Sequence, residues 1–224
     1  MKVPEPYDPV VLESIGIINA LRRGTVPGQG LSRFAVGLES EEQAIRDQLR
    51  LVANKGADIK AVRGEYGSGK TFFISRSLEI AREEGFVTSR VPLSPTNPLY
   101  KLSTVYSRMA SSLVAGGEEN ALRSLIDGWL FAIEERVLKR ADLTPEDTPG
   151  IQEMVIHEVE HALSEISEIH SALAAVIRTY YLACDCGDFK TAQAAVGWLA
   201  GETQVGRAVK QRAGIRGEVD DASV

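Results

Sequence analysis

Glycine recurs at positions 64, 67 and 69, and Lys70 and Thr71 follow at once. The eight residues Gly64, Glu65, Tyr66, Gly67, Ser68, Gly69, Lys70 and Thr71 spell G-x-x-x-x-G-K-T, the Walker A pattern of a phosphate-binding loop. No other stretch limits the fold as much, because such a loop needs a strand before it and a helix after it. Glycines let the backbone turn back so that several N–H groups face one hollow. That hollow suits the oxygens of a di- or triphosphate. Lys70 would reach the β- and γ-phosphates, and the Thr71 hydroxyl would hold Mg²⁺. The helix that starts here adds its positive end to the same anion site. The pattern predicts nucleotide binding and leaves hydrolysis open.

The flanks fit this demand. Asp58 to Arg63 is short and partly apolar, preceded by Lys55-Gly56, and reads as a strand. Phe72, Phe73, Ile74, Leu78 and Ala81 recur at helical spacing, and Gly85 closes that run. Phe86 to Val91 reads as a second strand. Upstream, Asp8-Pro9 predicts a capped helix start, with Val11, Ile15, Ile18 and Leu21 on one face and Gly24 at its end. Ser40 is expected to cap the next helix, which buries Ile45, Leu49 and Val52.

Beyond Val91 the pattern changes. Pro92, Pro95 and Pro98 interrupt regular structure, and helices are then expected over about 99–114, 118–139, 150–184 (with a break in the last) and 189–200. The expected class is therefore α/β, a P-loop core with an incomplete parallel sheet and a large helical C-terminal portion. Residues 1–98 would hold N-terminal helices and the strand–loop–helix–strand, 99–216 a helical region packed on or inserted into the core, and 217–224 a frayed polar tail. Only two strands are legible, and no apolar strand ends in Asp-Asp or Asp-Glu to hold Mg²⁺ and position water. Leu125-Ile126-Asp127 comes nearest but lies inside a helical pattern. The chain thus reads as the N-terminal part of a longer ATPase, with unknown catalytic residues.

Composition removes several classes. The net charge of −6 gives no overall field that attracts DNA or RNA. No run approaches the roughly 18 apolar residues of a membrane span. The N-terminus lacks the pattern of a secretory signal. Cys184 and Cys186 fit neither a zinc knuckle nor a C-x-x-C redox site, and read as thiols of a reducing cytoplasm.

A second motif competes with the first. His157-Glu158-Val159-Glu160-His161 satisfies H-E-x-x-H, the ligand pair and base of a zinc peptidase. Helical geometry argues against it. Val155, Val159, Ala162, Leu163 and Ile166 form the apolar stripe, and His157 and His161 project away from it toward water. Trp129, Trp198, Tyr180 and Tyr181 sit on helical faces that suit core packing. Tyr66 either approaches phosphates or packs on a neighbour.

Three runs carry a resemblance: Ile18 to Pro27, Phe34 to Gly37, and Arg63 to Thr71. Tyr180 to Ala183 and Ala194 to Glu202 add to it. Together they resemble the ATP-binding P-loop proteins of bacterial bacteriophage-exclusion (BREX) defence systems. The resemblance implies an AAA-type, origin-recognition-like ATPase that uses ATP and Mg²⁺ and acts on phage DNA within a multi-protein system. It also implies an adenine pocket at Phe34 to Glu39, although Leu38 stands where that class has Arg. Three other functions remain open: an ATP-dependent switch without its own hydrolysis, a P-loop kinase, and a zinc peptidase through His157, Glu158 and His161.

Overall fold

Asp8 and Pro9 begin the first helix as their types dictate. Helix α1 runs Pro9–Arg22, and Asp8 Oδ1 accepts the Val10 N–H at 2.8 Å. The computed structural model describes residues 8–141, 148–202 and 207–214. They form two units, one up to Thr88 and one from Ser89. The stretch between the helices expected over 118–139 and 150–184 lies largely, and the tail at 217–224 wholly, outside the described residues.

In the first unit a 3₁₀ turn at Leu31–Arg33 follows α1, then α2 (Glu39–Ala53) and α3 (Lys70–Glu83). The buried face of α1 differs from expectation. Ile17 and Ala20 are buried, whereas Val11, Ile15, Ile18 and Leu21 are exposed. The reason is the returning loop: Thr25 N–H and Oγ1 both donate to Ala20 O, and Gly30 lies against Ile17 and Glu13. Ser40 is not the cap of α2. The helix starts at Glu39 behind Leu38 with no side-chain cap, and the Ser40 hydroxyl donates to Glu41 instead.

Neither expected strand forms. Residues 56–65 are irregular, and Ile59 is 96% exposed. Asp58, Lys60 and Val62 line a groove with α2 and α3, which is the alternation of an extended segment. A strand also needs a neighbour for its main-chain groups, and among the described residues none lies alongside. Over 86–91 the structure shows no strand, only a bridge residue at Thr88, while Ser89 Oγ donates to Met109 O at 3.0 Å and pairs with Ser112 Oγ at 2.8 Å. The only sheet among the described residues is the antiparallel pair β1 (Val114–Ala115) and β2 (Glu118–Glu119). Gly116 and Gly117, at φ 55° and 86°, make its turn. That hairpin cuts short the helices expected over 99–114 and 118–139.

After an irregular stretch at 89–101, the helices described in the second unit are α4 (Leu102–Ser111), α5 (Leu122–Ala141), α6 (Thr148–Ile169), α7 (Ser171–Asp185), α8 (Phe189–Leu199) and α9 (Arg207–Ala213). The break expected within 150–184 falls at His170, whose Nδ1 accepts the Leu173 N–H and caps α7. Helix α9 was not expected from the sequence. Among the described residues two apolar cores hold this unit. One gathers Val176, Tyr180, Ala195, Trp198 and Leu199 with Val209 of α9. The other gathers Ile133, Val137, Val155, Val159 and Leu163 with Ala174. Among the described residues the fold is thus mainly helical with one small antiparallel sheet, and the parallel sheet of the sequence expectation is not seen. Among the described residues no helix is long and apolar enough to cross a membrane.

Candidate functional site

Loop 64–71 owes its shape to its glycines. Gly67 and Gly69 take φ of 82° and 85°, a region strained for any residue with a Cβ. Gly64 is needed for a different reason: a Cβ there would lie 2.5 Å from Ser68 Oγ. Between them the Ser68 N–H donates to Glu65 O at 3.2 Å and closes the turn. Helix α3 then begins at Lys70 with Gly69 as its cap and no side-chain cap bond. Its first main-chain bond runs from Phe73 N–H to Gly69 O at 2.9 Å. The N–H groups of Lys70, Thr71 and Phe72 therefore have no intrahelical partner.

Lys70 folds back over this hollow. Its Nζ donates to Gly64 O at 2.9 Å and to Glu65 O at 2.5 Å. Both acceptors are neutral carbonyls, and among the described residues no carboxylate pairs with it. Glu65 to Gly69 and Thr71 are exposed, and Tyr66 projects fully into solvent at 104%. The loop so combines free N–H groups, the positive end of a helix, an uncompensated ammonium and an accessible hydroxyl. That set of donors fits a phosphate chain and a hard cation beside it.

A second constellation lies further along α3. Arg76 is only 4% exposed, yet it is a charge. Its Nε and Nη2 reach the two carboxylate oxygens of Glu42 at 2.7 and 3.2 Å. Its Nη1 donates to Glu79 and Glu83, each at 2.8 Å. Burial works against the guanidinium charge, but Glu42, Glu83 and Glu79 outweigh it and hold the pKa above its ordinary value. Arg46 adds longer pairs to Glu42, Glu83 and Glu84. Sequence reasoning missed this network. The available signal was an arginine four residues before the buried Ile80, with glutamates three and seven positions on.

The histidine motif comes out as helical geometry requires. Val155, Val159 and Leu163 are buried, while His157 and His161 are exposed. Glu158 pairs with Arg140 at 3.1 Å, and Glu160 with Arg178 through two bonds of 2.6 Å. Among the described residues no three His, Cys, Asp or Glu side chains converge on a metal position. Trp198 and Tyr180 are core residues, and Cys184 and Cys186 are free and exposed. In the segment expected to face adenine, Phe34 and Val36 are exposed and Leu38 is half-buried.

Between α2 and α3, Ile45, Leu49, Val52, Phe73, Ile74 and Leu78 line an apolar groove of about 310 Å³ with residues 58–62. Residues 12–224 match the model of a protein family described as BREX system ATP-binding protein BrxC/D. No curated protein and no solved structure matches the chain.

Proposed function

The chain belongs to the BREX system ATP-binding protein family BrxC/D, and from that premise we propose that it binds Mg-ATP on loop 64–71. A family of this description has an ATP-binding role in phage defence and works with other components of that system. In our proposal the main chain from Glu65 to Gly69 cradles the phosphates, with the Ser68 N–H closing the turn on Glu65 O, and Lys70 neutralises the β- and γ-oxygens. Thr71 holds Mg²⁺, and Phe34 to Glu39 face the base. The observation that carries it is Lys70: its ammonium rests on two main-chain carbonyls, which an anionic phosphate oxygen outcompetes because a charged acceptor binds more strongly.

The α/β core of an AAA-type ATPase is part of the same proposal. Segment 58–63 is extended, immediately precedes the loop and has main-chain groups without strand partners among the described residues. In our proposal it would become the strand around which a parallel sheet assembles beside α2 and α3. Hydrolysis is not assigned to residues of this chain. A switch that binds ATP and acts through other defence proteins suits the exposed Tyr66.

Thermal unfolding of the chain with Mg-ATP, Mg-GTP and zinc chloride tests this. At one hundred times Kd, Mg-ATP stabilises the protein by about 2.7 kcal/mol. Lys70→Ala removes that shift while leaving the helical circular dichroism unchanged. An equal ATP response in the variant sinks the assignment, and stabilisation by zinc alone would revive the peptidase.

A further inference from the structure

One buried charge holds both ends of the chain between Leu31 and Glu42. Glu79 accepts the Leu31 N–H through Oε1 at 3.1 Å and Arg76 Nη1 through Oε2 at 2.8 Å. Arg76 in turn grips Glu42 at the start of α2. Arg76 and Glu79 both belong to α3, the helix whose first residue is Lys70. The tethered stretch carries Phe34 and Val36, two exposed apolar side chains, and Gly37 at φ 77°. Phe34 and Val36 thus lie open to solvent on a segment whose two ends are pinned. Phosphate loop and tethered segment are thus fixed to the same rigid helix.

We propose that Arg76 is a positioning residue: through Glu42 and Glu79 it fixes segment 32–41 on α3, so that a nucleotide held by the loop meets Phe34 and Val36 with its base. The inference rests on the nucleotide site proposed above and adds a residue to it. Burying an ion pair does little for net stability, since desolvation offsets most of the attraction, but losing one partner is expensive. The network therefore acts as a register pin. If segment 32–41 slid along α3, a carboxylate or the guanidinium would be left buried and unpaired. The planar fork of arginine reaches three carboxylates at once, which a lysine ammonium on the same stem does less well.

The test separates the base from the phosphates. Titration calorimetry of the full chain compares Mg-ATP with Mg-tripolyphosphate, which has no base. Arg76→Gln is expected to weaken Mg-ATP about tenfold, a loss on the scale of one charged hydrogen bond. Tripolyphosphate binding stays within about twofold, because the loop itself is untouched. Arg76→Lys recovers part of the ATP affinity. Should Arg76→Gln fail to fold, Glu79→Gln breaks only the link to Arg76 and produces the same split at smaller size. Equal weakening of both ligands, or of neither, overturns the positioning role. Lys70→Ala weakens both ligands if the loop is the site. A wild-type chain that binds neither removes the site, and this inference with it.

Discussion

The two units fill their interiors with different chemistry. From Ser89 onward, Tyr180, Ile133, Leu163 and Trp198 are shielded from water by apolar neighbours on α5 to α9. Among the described residues up to Thr88 the buried apolar set is short (Ile17, Ala20, Pro27, Leu31, Ile80 and Ala81), and a buried side chain that joins α2 to α3 is a guanidinium. The same unit leaves Val36 87% exposed and Ile59 almost wholly so. Water exclusion is strong and tolerant of small shifts. Ion pairing is weak in net stability and strict in geometry. One unit is therefore built for stability. The other fixes the direction of α2 against α3 with buried charge.

The sharpest way to break this contrast is a pair of apolar truncations. Trp198→Ala, in the second unit, should cost about 3–5 kcal/mol in urea unfolding. Ile59→Ser, in the first, should change stability by less than about 0.5 kcal/mol. Comparable losses would show that Ile59 is covered and that the first unit has an apolar core after all.

What the sequence tells of the two units follows the same division. Helices α5 to α8 of the second unit were legible in outline because they carry apolar stripes with period 3.6, whereas the hairpin at Gly116-Gly117 and helix α9 were not. The glycines of loop 64–71 were legible too, since their conformations are set within the loop. Strands at 58–63 and 86–91 were overread because alternation shows that a segment is extended and not that a neighbour pairs with it. The face of α1 was misjudged because the loop through Gly30 decides which side is covered, and that is a tertiary fact. Arg76 was passed over for a related reason: its burial depends on Glu42, which lies 34 residues away.

A smaller effect sharpens the contrast from the second unit's side. Tyr180 buries its ring and donates its hydroxyl to Asp127. Asp127 is half-exposed and can be rehydrated, so Tyr180→Phe should cost only about 1 kcal/mol. Burial, then the bond to Asp127, raises the phenol pKa above its ordinary value. A raised folded-state pKa gives stability that is full below the unfolded value near 10 and declines as pH climbs past it. The wild type should therefore lose stability above about pH 10 more steeply than Tyr180→Phe in alkaline melting curves. Parallel curves would mean that the phenol is not shielded, and the apolar description of that core would weaken.

The smallest effect concerns a charge that the second unit keeps at its surface. Asp188 caps α8: Oδ1 accepts the Thr191 N–H at 3.1 Å, and Oδ2 accepts Thr191 Oγ1 at 2.7 Å and Arg212 Nη1 at 2.6 Å. The Thr191 hydroxyl, then its N–H, lower the carboxyl pKa, and Arg212 adds to them. A depressed folded-state pKa gives stability above the unfolded value near 4, lost as pH falls through the folded one. Asp188→Ala should lower Tm by about 2 °C at neutral pH. That deficit should close in acid, where the wild-type carboxylate is protonated as well. Arg76 occupies the opposite situation, with its charge inside and its partners fixed. If Asp188→Ala disturbed folding as severely as a core truncation, exposed polar links would be holding the second unit too. The distinction between a unit that excludes water and one that aligns charges would then have to be redrawn at the level of single helices.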